Sequence, residues 1–99
     1  MNIKIHSVHF DADGKLLNFI EERVNKLSQV DDKIIGAEVF LRLDKNQNTD
    51  NKVTEVRLSI SGNDLFAKKQ CKSFEEATDQ TVDALRRQLT KQKAKKVSR

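Results

Sequence analysis

Between residues 34 and 61 apolar and polar side chains alternate, and that period of two restricts the segment to a sheet with one buried and one solvated face. Ile34 and Ile35 open a strand. Ala37, Val39, Leu41 and Leu43 then point one way, and Glu38, Phe40 and Arg42 the other. The polar stretch from Asn46 to Asn51 reads as a turn. The next strand carries Val56, Leu58 and Ile60 on one face and Glu55, Arg57, Ser59 and Ser61 on the other. Gly62-Asn63-Asp64 supplies a tight turn, which makes a hairpin with a further strand. There Leu65, Ala67 and Cys71 share a face with Lys69. A lysine on that face requires a bulge or an edge position.

Two helical patterns flank this block. Ile3-Lys4-Ile5-His6 alternates as a first strand, and Val8 and Phe10 fall out of phase, so it ends or bulges near Ser7. Asp13 is placed as an N-cap. Leu16, Ile20, Val24 and Leu27 follow on one face of a helix expected over 14–29. Ser73-Phe74-Glu75-Glu76 has the form of a capping box. The helix behind it carries Phe74, Ala77, Thr78, Thr81, Val82, Leu85 and Leu89 on one side, with no Gly or Pro to stop it before about residue 95. The expected fold is α+β: a two-layer β-α-β-β-β-α domain over 1–95, a four-stranded sheet with both helices on one face, and a flexible basic tail at 96–99.

Charge is distributed unevenly along these elements. Residues 1–85 hold twelve Lys and Arg against fifteen Asp and Glu. Residues 86–99 hold Arg86, Arg87, Lys91, Lys93, Lys95, Lys96 and Arg99 and no acid. The helix macrodipole favours cations only over about the last turn. A longer run without a balancing acid points to a polyanionic partner. Lys15, Arg23 and Lys26 on the first helix and Lys68 and Lys72 near the fourth strand are candidates to join it. Antiparallel or crossing helices would frame a basic groove between or beside them.

Other chemistries find little support. His6 and His9 are three apart in the predicted strand and point to opposite faces unless a bulge intervenes. No spacing suits zinc, and three glycines form no phosphate-cradling loop. Cys71, the single cysteine, reads as a small buried residue in a reducing compartment. An enzyme, a cofactor and a small-molecule substrate are therefore not expected. No stretch approaches the roughly 18 apolar residues that cross a bilayer, and no apolar leader follows Met1, so no membrane partner and a cytoplasmic location are expected. Phe40 and Phe66 fall on the uncovered sheet face. Two phenylalanines without an RNP-like motif suggest partial burial or a protein contact more than base stacking.

Two stretches carry a family resemblance: Leu17 to Leu27 with the strand behind it, and Ser73 to Lys93 with its Leu85-Arg86-Arg87-Gln88-Leu89 core. They resemble the short ribosome hibernation promoting factors, a family that includes the ribosome-associated inhibitor A, or sigma modulation, proteins. Two departures accompany the likeness. An aromatic usually found near Glu75 is absent, and positions near Thr78 and Thr81 that are usually apolar are polar.

The resemblance implies a β-α-β-β-β-α fold and binding to the small ribosomal subunit and its 16S rRNA. The site would be the messenger and transfer RNA channel at the A and P sites, where occupancy inhibits translation and preserves idle ribosomes under stress or in stationary phase. A chain ending at 99 would lack the second domain of long members and would work with a separate modulation factor or on single ribosomes. The implied RNA-binding positions are Arg23, Lys26, Arg86, Arg87, Lys91 and Lys93, to which charge adds Lys68 and Lys72. Two other readings remain: a double-stranded-RNA-binding module, which usually has lysines where this second helix starts with acids, and a protein-interaction modulator of a transcription factor.

Overall fold

The computed structural model describes the backbone of residues 1–97 and the side chains of residues 1–93. Strand β1 (Asn2–Ser7) is followed by helix α1 (Gly14–Asn25), which tightens into a 3₁₀ turn (Lys26–Gln29). Strands β2 (Ile34–Leu43), β3 (Lys52–Ile60) and β4 (Asn63–Cys71) then lead into helix α2 (Phe74–Val97). The sheet order is β1-β2-β3-β4. β1 runs parallel to β2, which a crossover through α1 makes possible, and the other pairs are antiparallel. α1 packs on β1, α2 packs on β3 and β4, and the two helices meet. The expected basic tail at 96–99 falls mostly outside the described residues, the helix backbone itself running to Val97.

The register explains which side chains the helices bury. Ile5, Val39, Val56 and Ala67 lie in one cross-strand row, and Ile3, Ala37, Leu58 and Leu65 in the next. These rows meet Ile20, Val24 and Leu27 from the α1 segment and Phe74, Val82, Leu85 and Leu89 from α2 in one apolar core. Phe10 closes one end by stacking on Phe74, with ring centroids 5.1 Å apart. The third row, Ser7, Leu41, Thr54 and Lys69, is polar except at Leu41. Lys69 is exposed because β4 is an edge strand. The β3–β4 ladder runs unbroken through it, so no bulge is involved.

Local chemistry sets the element ends. Asp13 caps α1 by accepting the Leu16 amide at 2.8 Å. His9 takes a left-handed φ of 64°, and β1 stops before it, so His6 and His9 do not share a strand. The β2–β3 connection folds on Asp44, whose carboxylate accepts the Asn46 amide and the Gln70 side-chain amide, both at 3.0 Å. At Gly36 the parallel neighbour comes so close that a Cβ would lie 2.8 Å from the Asn2 carbonyl oxygen. Glycine alone fits there. The irregular register beside it leaves Ile35 63% exposed.

Candidate nucleic-acid interface

The basic segment stands on the second half of α2. At the start of that helix the Ser73 hydroxyl accepts the Glu76 amide at 3.1 Å. The Glu76 carboxylate reaches back to the Lys72 amide at 3.4 Å, one residue earlier than a capping box would place it. Phe74, Ala77, Thr78, Thr81, Val82, Leu85 and Leu89 are all buried, which fixes the rotation of the helix. Arg86, Arg87, Lys91 and Lys93 are then exposed on the remaining arc.

Thr78 and Thr81, polar within an apolar stripe, are explained by Thr54. All three are fully buried. The Thr78 and Thr54 hydroxyls are 3.4 Å apart, and the Thr81 hydroxyl donates to the Thr54 carbonyl at 3.2 Å and the Ala77 carbonyl at 2.7 Å. The departure from an apolar pattern is therefore matched by a third threonine on β3, and among the described residues no buried side-chain polar atom lacks a partner.

The candidate arginines are engaged within the chain. Arg23 donates from Nε to Asp79 at 2.9 Å and lies over the Phe19 ring at 4.4 Å, so it links α1 to α2. Asp83 holds Arg87 at 2.7 Å and Arg86 at 3.4 Å. This acid sits one turn before the acid-free run and neutralises part of it. Lys93 donates to the Val30 carbonyl at 2.7 Å, behind the 3₁₀ turn. The contacts Arg23–Asp79 and Val30–Lys93 also fix the helices as running in the same direction, not antiparallel. Lys26 and Lys91 are exposed and form no ion pair among the described residues.

The two β4-side candidates separate. Lys68 lies opposite Glu55 in the row His6, Phe40, Glu55, Lys68, on the face away from the helices. A groove between helices excludes it. Lys72 lies past the end of β4, at the entrance to α2. Lys69, not among the candidates, is the β4 cation on the helix side, and the period-two alternation that placed it with Leu65 and Ala67 already signalled this.

Cys71 is buried, and burial, reinforced by the Glu76 and Asp50 carboxylates, pushes its thiol up from its ordinary value. That is the opposite of an activated nucleophile. Among the described residues no group of three or more His, Cys, Asp or Glu could hold a metal ion. No described helix is long and apolar enough to cross a membrane.

Comparison with known proteins agrees with this architecture. The family model described as "Sigma 54 modulation protein / S30EA ribosomal protein" matches residues 3–97. The ribosome hibernation promoting factor of Azotobacter vinelandii is 27% identical over 99 residues, covering 100% of this chain and 89% of that protein. That of Escherichia coli is 28% identical over 95 residues, covering 96% of each. Among solved structures, a ribosomal subunit interface protein from Coxiella burnetii superposes with a TM-score of 0.84 at 19% identity, covering 95% of this chain and 99% of that one. The N-terminal domain of Thermus thermophilus Protein Y gives 0.79 at 21% identity, covering 92% and 98%.

Proposed function

This chain belongs to the Sigma 54 modulation protein / S30EA ribosomal protein family, and we propose that it is a non-enzymatic ribosome hibernation factor of the cytoplasm. It binds the small ribosomal subunit through 16S rRNA, in the channel that messenger and transfer RNA use at the A and P sites. Occupying that channel inhibits translation and preserves the idle ribosome. A separate modulation factor completes any ribosome pairing.

The observation that carries this reading is the cationic arc of α2. Arg86, Arg87 and Lys91 project from a helix whose other side is locked into the core, so they form a rigid array of positive charge. Lys26 extends it from the α1 side. Phosphate contacts of this kind are sequence-independent and strongly salt-dependent. Glu75 and Glu76 are exposed at the start of α2, where a double-stranded-RNA-binding module would need cations, which disfavours that reading.

Sedimentation through sucrose tests it. The protein is expected with 30S and 70S particles at low salt, and in the free fraction when messenger and initiator transfer RNA are bound first. Absence from every ribosomal fraction overturns the function. Cosedimentation indifferent to bound messenger and transfer RNA overturns the channel assignment.

A further inference from the structure

The uncovered face of the sheet is not a neutral solvated surface. Its central rows read Lys4, Glu38, Arg57, Phe66 and His6, Phe40, Glu55, Lys68. Both carboxylates in these rows are already engaged: Glu38 with His6 at 3.2 Å, and Glu55 with Arg42. Lys4, Arg57 and Lys68 form no ion pair among the described residues. One further exposed carboxylate, Asp64, lies outside these rows near the β3–β4 turn.

The backbone positions that carry these cations are set by sheet geometry. Lys4 and Arg57 are two strands apart in one row, roughly 10 Å at the usual strand separation. Arg57 and Lys68 are diagonal neighbours, about 7–8 Å apart. Aromatic surface lies between and beside them. Phe40 stacks on His6 with ring centroids 4.9 Å apart, and Phe66 is 47% exposed at the end of the Arg57 row. Cations set among exposed ring faces on a pleated surface suit a strand of unpaired nucleotides, whose phosphates and bases present complementary features. An acidic protein surface would match the charges but would have less use for the rings.

We propose that this uncovered face is a second RNA-binding surface, which takes an unpaired segment of RNA across Lys4, Arg57 and Lys68 while α2 engages the ribosome from the other side of the domain. Only the choice of RNA as the polyanion rests on the ribosome-directed reading above. The ring contacts supply sequence-tolerant stacking, and the three cations supply phosphate contacts.

Amide NMR spectra of the full chain titrated with a short oligouridylate test the wild-type protein directly. Shifts are expected at Lys4, Arg57, Phe66 and Lys68, and shifts confined to α1 and α2 overturn the proposal. The triple substitution Lys4→Gln, Arg57→Gln, Lys68→Gln should weaken oligouridylate binding about tenfold. It should also make the slope of log affinity against log salt shallower by about 2. Unchanged affinity overturns it. So does a variant that still binds the oligonucleotide but loses retention by RNA-free ribosomal proteins, since that outcome assigns the face to a protein. Failure of the ribosome reading is distinguishable, because it shows as loss of wild-type cosedimentation whatever the oligonucleotide does.

Discussion

The hydroxyl of Thr81 on α2 donates to the backbone carbonyl of Thr54 on β3 at 3.2 Å, inside a largely apolar interface. It tethers the helix that carries the basic arc to the centre of the sheet. Thr81→Val keeps the shape and deletes the bond, so it should cost about 1 kcal/mol in urea unfolding. The joint substitution Thr54→Val with Thr78→Val removes both members of a hydroxyl pair, and replacing both partners by isosteric apolar groups is nearly neutral. A larger loss from the double change than from Thr81→Val would show that the three hydroxyls act as one network.

In the proposed binding mode Asp83, which pairs with both Arg86 and Arg87, competes with RNA for them. Asp83→Asn should therefore raise affinity for 30S subunits a few-fold at low salt, with little change in melting temperature because exposed ion pairs contribute about 0–1 kcal/mol. Lys91→Gln should weaken binding at least as much as Arg87→Gln, since Lys91 has no ion pair to break. Filter binding over a salt series measures both, and weaker binding by the Asn variant would contradict the competition.

Gly36→Ala places a methyl group 2.8 Å from the Asn2 carbonyl oxygen, a backbone atom that cannot swing aside. The expected loss is about 1–3 kcal/mol. It should appear first as faster hydrogen exchange at the β1 amides, and a variant with wild-type protection throughout β1 would exclude the clash.

Stability should fall as pH rises above the ordinary thiol value of 9.0, because burial, with Glu76 and Asp50, raises the Cys71 pKa in the folded state. Below that value both states keep the proton and the contribution is intact. Above it the unfolded chain releases the proton first, so unfolding gains until pH passes the folded pKa. Cys71→Ala should flatten that part of the profile relative to wild type. Identical alkaline slopes in the two proteins would count against it.

The layer structure was legible because alternation and helical periodicity report directly on burial. Val39, Val56 and Leu85 took the sides their spacing demanded. Asp13 and Ser73 marked both helix starts through local chemistry. What stayed hidden was pairing between distant elements. Charge counting registered Arg23 as a free cation, whereas Asp79 lies 56 residues further along the chain and holds it. Counting from residue 86 likewise missed Asp83, which is a neighbour in helical space and not within the counted run. Charge read without face groups Lys68 with the helical cations. The same alternation that ordered the core places it on the opposite side of the sheet. Thr78 and Thr81 looked like departures because their partner, Thr54, is on another element.

The core has an order of assembly written into its connectivity. β1 finds its neighbour only after β2 has been made, and the buried side chains Phe74, Val82, Leu85 and Leu89 come after every strand. A nascent chain emerging from a translating ribosome thus lacks these core side chains until α2 has cleared the exit tunnel. The basic arc is part of that same helix, so it gains its rigid backing only when the fold closes.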